Sequence, residues 1–223
     1  MSLIMTGYLI TKKEVSIRMR RLVTISREYG SGGRLIGALV ADKMGIPFYD
    51  KEIIDMAVEK SGLSREIIET AELRAKNSIT YSFASAMTLG EGFAADTISI
   101  NEKLFLAQSD VIRQIGETDE GVIIGRCADY VLRDLYGVTN IFIYGNLEDR
   151  IERCIHSYGD DPDKVRRKIK DYDKARANYY NYHTSRKWGH HMNYNLAMNS
   201  SYISDEKAAD IIVDFMRMRR YKD

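Results

Sequence analysis

The residues best suited to chemistry in this chain stand between Leu22 and Gly37, in the string LVTISREYGSGGRLIG. A β-branched run leads into glycines at 30, 32 and 33, and a helical pattern follows. Glycines let the backbone take φ > 0 and bring its N–H groups close to an anion, and a helix N-terminus adds partial positive charge. The chemistry such a turn supports is phosphate binding. A standard phosphate loop continues with a lysine on the β- and γ-phosphates and a hydroxyl on Mg²⁺. Here Arg34 and Leu35 stand in that region, and there is no lysine.

The elements that must position this turn alternate between strand and helix, which predicts an α/β fold with a mainly parallel sheet. Leu22–Ser26 reads as a buried first strand because it is nearly continuous apolar. The next helix places Leu35, Ile36, Leu39, Val40 and Met44 on one stripe and stops at Gly45. Ile46–Tyr49 reads as a short strand ending in Asp50, and Lys51–Glu59 as a helix with Ile53, Ile54, Ala57 and Val58 inward. Residues 77–99 lose periodicity and read as an insertion over a site. Glu102–Ile115 is a helix that leads into a buried strand, Gly121–Ile124, closed by Gly125-Arg126. Further strands follow at Thr139–Tyr144 and Tyr194–Met198, with helices from Leu147 and over Asp205–Arg217.

Two readings compete for the glycine turn. A dinucleotide fingerprint needs G-x-G-x-x-G and an acid about twenty residues on. Gly30, Gly32 and Asp50 go part of the way, but Leu35 holds the third glycine position. Arg27-Glu28-Tyr29 also separate strand from glycine, a spacing that favours a loop wrapped around a phosphate. An NAD(P) oxidoreductase is therefore the weaker reading.

The bulk composition narrows the class. Lys and Arg number 33 against 32 Asp and Glu, so no overall charge draws the chain to nucleic acid or membrane. Charge is instead local: residues 150–190 hold 11 Lys or Arg against 6 Asp or Glu. Two cysteines without C-x-x-C spacing suit a reducing, cytoplasmic setting. No run of 18 apolar residues and no signal-like N-terminus is present. His183, His190 and His191 with Cys154 lack zinc spacing, so no metal ligands are assigned. The aromatics Tyr179, Tyr180, Tyr182 and Trp188 read as packing anchors before base stackers.

The string ISREYGSGGRLIGALVADKMGIPFYDKEII resembles the N-terminal signature of the cytidylate kinase-like proteins, a divergent branch of the nucleoside monophosphate kinases. Gly125-Arg126 is similar to the Gly-Arg by which that family holds a substrate phosphate. Lys164–Tyr180 falls at its basic lid, and KWGHHMNYNLAMNSS at its last strand and the loop beneath the adenine. The resemblance covers about residues 20–220.

It implies a P-loop NTPase-like three-layer α/β/α domain over 21–220, with a helical substrate-binding insertion over about 61–101 and a lid over about 156–190. Residues 1–20 are then an N-terminal extension, in part of the kind an expression vector adds. The implied activity is ATP- and Mg²⁺-dependent phosphotransfer to a nucleoside monophosphate. The alternative is nucleotide binding or sensing without transfer.

Gly30, Ser31, Gly32, Gly33 and Arg34 would hold ATP phosphates, with Asn199 and Ser200 near the adenine. Arg34, Asp50, Arg126 and Arg176 would serve transfer, while Arg27, Asp50, Arg126, Asp129, Arg166, Arg167 and Lys174 would bind the acceptor. Aligned on that signature, the lysine position falls at Gly33 and the hydroxyl position near Leu35, leaving Ser26 and Ser31 as the nearest hydroxyls for Mg²⁺. The family's base-reading acid is replaced by Cys127, with Asp129 two residues on. The acceptor's identity and the oligomeric state stay open.

Overall fold

A computed structural model describes residues 21–61, 100–118 and 120–219. Five parallel strands form one sheet in the order β2-β3-β1-β4-β5: β1 Arg21–Arg27, β2 Phe48–Tyr49, β3 Glu120–Ile124, β4 Thr139–Tyr144 and β5 Leu196–Asn199. The helices are α1 Gly33–Met44, α2 Glu52–Ser61, α3 Ile100–Glu117, the single turn α4 Ala128–Val131, α5 Leu147–Tyr158, α6 Val165–Thr184 and α7 Asp205–Met218.

Side chains alternate across the sheet, and the core divides accordingly. Val23 and Ile25 of β1 join Val122, Ile124, Ile141 and Ile143 against Ile36 and Val40 of α1 and Ala209, Ile212 and Met216 of α7. Leu22 and Ile123 face the other way, onto Ile53 and Ala57 of α2, Val111, Ile112 and Ile115 of α3, and Val131 and Leu132 beside α4. Both faces of the sheet are covered, so its central strands are apolar at nearly every position. This is the three-layer α/β/α arrangement. With β3 inserted between β2 and β1, the strand order is not that of the dinucleotide fold, in which β2 pairs with β1 directly.

The differences from the sequence reading lie at the edges. The first edge strand is Phe48–Tyr49 rather than Ile46–Tyr49, because Pro47 has no N–H to give and instead accepts from Val122 N–H at 2.8 Å. The last strand begins at Leu196 rather than Tyr194, its register set by β4 alone. Leu35 is 51% exposed and leaves the inward stripe that Ile36 and Val40 hold. Ile54 is only half-buried while Ile53 and Ala57 are fully enclosed. Nearly all of the 61–101 insertion lies outside the described residues.

What fixes α5 and α6 over the glycine turn is a buried cation. The Arg150 guanidinium on α5 meets Glu28 at 2.8 Å and Asp173 of α6 at 2.7 Å, with only 8% of its side chain exposed. Glu28 also accepts from Gly145 N–H, and Asp173 from Tyr29 N–H at 2.7 Å. Tyr29 packs on Tyr172 of α6, ring centroids 4.4 Å apart, and its hydroxyl donates to Asp160. Arg166, by contrast, pairs with Glu148 where both are largely exposed. Removing one member of a buried ion group strands the others, at a cost of about 3 kcal/mol, whereas an exposed pair contributes under about 1 kcal/mol. Urea unfolding should therefore show Arg150→Ala strongly destabilised and Arg166→Ala nearly unchanged.

Candidate active site

In open α/β sheets ligands bind outside the carboxyl ends of the strands. Here that edge is built by the turns after β1, β3, β4 and β5. The turn after β1 holds Gly30 at φ 81° and Gly32 at φ 76°, and Gly32 is the N-terminal cap of α1 with no side chain capping it. Ser31 is buried, its Oγ donating to Glu28 O at 2.9 Å. Neighbours crowd the glycines from one side. A Cβ on Gly30 would lie 2.8 Å from Arg150 O and from Cys154 Sγ. One on Gly32 would lie 2.7 Å from the Arg153 guanidinium and 2.8 Å from Asp205. The turn thus needs glycine for close packing as well as for its φ angles.

The turn after β3 carries backbone strain. Gly125, Arg126 and Cys127 follow one another at φ 70°, 57° and 55°, closed by Ala128 N–H on Gly125 O at 3.0 Å. Two L-residues in the left-handed region cost roughly 1–2 kcal/mol each. Strain of this kind persists only where the surrounding structure over-determines it.

Between these two turns lies a hollow floored by Ser26, Arg27 and Gly125 and walled by Arg126, Arg176, Tyr179 and Trp188. Burial pulls the Arg27 guanidinium down to about 9, and the positive fields of Arg176, Arg126 and Arg34 add to this while Asp50 opposes it. Burial likewise lowers Arg176. At about 9, Arg27 remains a cation at neutral pH. Arg176 donates to Arg27 O at 3.0 Å, which brings α6 onto the end of β1. Among the described residues no carboxylate pairs with the Arg27 guanidinium. The hollow is therefore a pocket of positive charge in which an anion relieves repulsion among guanidiniums.

The other expected site residues take varied places. Arg34 is exposed, gives its Nε to Asp50 at 2.6 Å and lies over the Phe48 ring. Asp50 is 8% exposed at the end of β2. Asp129 is buried beneath the hollow's wall, where burial raises its carboxyl above the usual range and the Tyr180 hydroxyl donates to it at 2.6 Å. It ties α4 to α6. Asn199 and Ser200 knit the ends of β4 and β5, through Asn146 and through Tyr144 O respectively. Arg167 and Lys174 are exposed on α6, and Arg167 reaches Asp171 along its own helix. Burial pushes the Cys127 thiol up, which leaves it a poor nucleophile.

The hydroxyls do not build a Mg²⁺ site. Ser31 Oγ is turned to Glu28 O, Ser26 Oγ accepts from Trp188 Nε1 at 3.3 Å, and Leu35 occupies the loop's hydroxyl position. Among the described residues no three His, Cys, Asp or Glu side chains gather as metal ligands. A metal here would take its oxygens mainly from nucleotide phosphates and water.

From the sequence Arg27 is expected at the acceptor alone, Arg150 and Arg153 are arginines after a strand that could point toward the site, and Glu28 and Asp173 carry no expected role. The available signal was position: Arg27 and Glu28 end a buried strand at the edge where ligands bind. Asp173 has no such signal, since the hydrogen-bond partners that tie it to the turn, Arg150 and Tyr29, are 23 and 144 residues away. Among the described residues no helix is long and apolar enough to cross a membrane.

No curated protein matches the chain. Among solved structures, an uncharacterised protein from Eubacterium ventriosum is 25% identical with a TM-score of 0.65, covering 89% of this chain and 99% of its own. Shikimate kinase from Bacteroides thetaiotaomicron shares the fold at 12% identity and a TM-score of 0.51, covering 89% of this chain and 99% of its own. The model of the cytidylate kinase-like family matches residues 22–202, which include the glycine turn, the strained Gly125–Cys127 turn and the α6 arginine. The chain belongs to the cytidylate kinase-like family.

Proposed function

We propose that the chain is an ATP-dependent phosphotransferase whose acceptor is a small molecule bearing a phosphate, a nucleoside monophosphate first among them. The observation that carries this reading is the hollow in which Arg27, Arg126 and Arg176 converge beside the glycine turn. Phosphoryl transfer asks the protein for positioning and charge neutralisation, with little covalent work. The chain supplies both at one edge of the sheet.

In this reading the donor's phosphates lie along the uncapped N-terminus of α1, where backbone N–H groups and the helix dipole favour negative charge. The acceptor's phosphate sits with Arg126, and Arg176 closes the hollow from α6. The bond from the γ-phosphorus to ADP breaks with its electron pair leaving on ADP. The acceptor oxygen supplies the pair for the new bond. A phosphate dianion as acceptor has no proton to lose, which fits a hollow with arginines and no general base among its lining residues. ATP is the donor and Mg²⁺ its partner, held by the nucleotide's own oxygens.

Nucleotide binding without transfer is the second reading, favoured by Leu35 at the hydroxyl position and 51% exposed. Coupled ADP release over a panel of nucleoside monophosphates and small alcohols separates the two. Turnover on a monophosphate supports transfer; ATP binding without turnover on any acceptor supports sensing. Given turnover, Arg126→Ala should lower kcat/KM for the acceptor by about 10²-fold or more, the scale seen when one charge-stabilising donor is lost.

The charge of the hollow makes a second outcome measurable without catalysis. Inorganic pyrophosphate at about 100 times its Kd should add about 2.7 kcal/mol to stability, readable as a rise in Tm. Arg176→Met should shrink that rise by at least half, while Arg167→Met should leave it unchanged.

A further inference from the structure

The missing lysine of the glycine turn has a structural counterpart on the other side of the turn. Gly33 is the first residue of α1 and has no positive φ, so its conformation does not call for glycine. Glycine within a helix is ordinarily a loss of roughly 0.5–1 kcal/mol against alanine. Space accounts for it instead. A Cβ on Gly33 would lie 2.6 Å from Arg27 Cβ and 3.1 Å from Arg27 Cγ, with Ile143 Cβ at 3.2 Å. At the far end of the same side chain, a Cβ on Gly125 would run into Arg27 Nη1. Gly33 leaves room for the stem along the path of this arginine, and the tip lies against Gly125, whose φ of 70° favours glycine in its own right.

That path runs from in front of the residue where the loop's lysine would start to the turn after β3. Arg27 is held along it by β4, whose Ile143 is its register partner, and by Arg176 Nη1 on its carbonyl. Arg34, the nearer cation in sequence, is drawn outward to Asp50. We propose that Arg27 supplies the donor-phosphate cation that the loop lacks at position 33, delivered from the end of β1 instead of the start of α1. This rests on the phosphotransfer reading above.

The relocation changes the chemistry of the contact. A lysine is a compact point charge, whereas a guanidinium is a rigid fork that binds two oxygens in one plane. Because Arg27 reaches from the glycine turn to Gly125, its fork bridges donor and acceptor sides and neutralises the phosphoryl group as it passes. Arg27 neither gains nor loses a proton in the step.

The test exchanges the two positions. Binding of a non-hydrolysable ATP analogue is measured without acceptor, alongside turnover and thermal unfolding, for the unsubstituted chain and for Arg27→Met, Arg27→Lys, Gly33→Lys and the double change Arg27→Gly with Gly33→Lys. Arg27→Met keeps the stem and removes the charge, and should weaken the analogue about tenfold or more, with turnover down about 100-fold. Gly33→Lys alone should also weaken it, because the new stem meets that of Arg27. The double change should return the affinity to within about threefold of the unsubstituted chain. Where the double variant does not fold, Arg27→Lys replaces it, and retention of affinity within about fivefold is the expected result. Arg27→Met binding the analogue within about twofold of the unsubstituted chain overturns the assignment, as does a loss confined to the acceptor's KM. An unsubstituted chain that does not bind the analogue overturns the phosphotransfer reading and this assignment together.

Discussion

The buried guanidinium of Arg150 is the interaction on which the rest of the site depends. It joins the turn after β1, the helix after β4 and the helix that covers the hollow, three segments whose apolar contacts alone are small. A cation in that place is stable only because two carboxylates share it, one of which, Glu28, is itself held by the Gly145 N–H. The geometry of the glycine turn follows from it: Gly30 lies against the Arg150 backbone, and Tyr29 is held by the carboxylate that Arg150 also holds. The site is therefore organised by charge as much as by its apolar core.

Two clusters of arginine stand close together with opposite character. Arg150 and Arg153 are neutralised within the protein, by Glu28 and Asp173 and by Asp205. Arg27 is crowded by Arg176, Arg126 and Arg34, with Asp50 as the carboxylate whose field favours it, while Arg176 has Asp173 at 3.9 Å. The first arrangement holds helices in place; the second leaves the positive charge around Arg27 less fully offset. The same residue type serves both because a guanidinium stays charged in either setting while offering several donors in one plane.

Much of the architecture was legible in the sequence, because buried parallel strands announce themselves as apolar runs and α1 ends in a glycine at φ 61°. Thr139–Tyr144 carries its own signal from end to end. The edge strands do not, since a two-residue pairing such as Phe48–Tyr49 is set by its partner. The places of the candidate residues were legible where they end strands, as with Arg27, Asp50 and Arg126. They were illegible where the chemistry depends on a distant contact: nothing near Arg34 in sequence says that Asp50 takes its Nε, and nothing near Gly33 says that a side chain six residues earlier fills its space. Asp129 is expected from the sequence at the acceptor, and only the fold brings the Tyr180 hydroxyl to it.

The left-handed run at Gly125–Cys127 bears on how this sequence can drift. Glycine at 126 or 127 would relieve roughly 1 kcal/mol or more at each position, so a search for thermostable variants is pulled toward removing the very arginine that walls the hollow. Resistance of position 126 to that pull, in a library sorted for folding and then for function, separates what the chain keeps for its shape from what it keeps for its ligand.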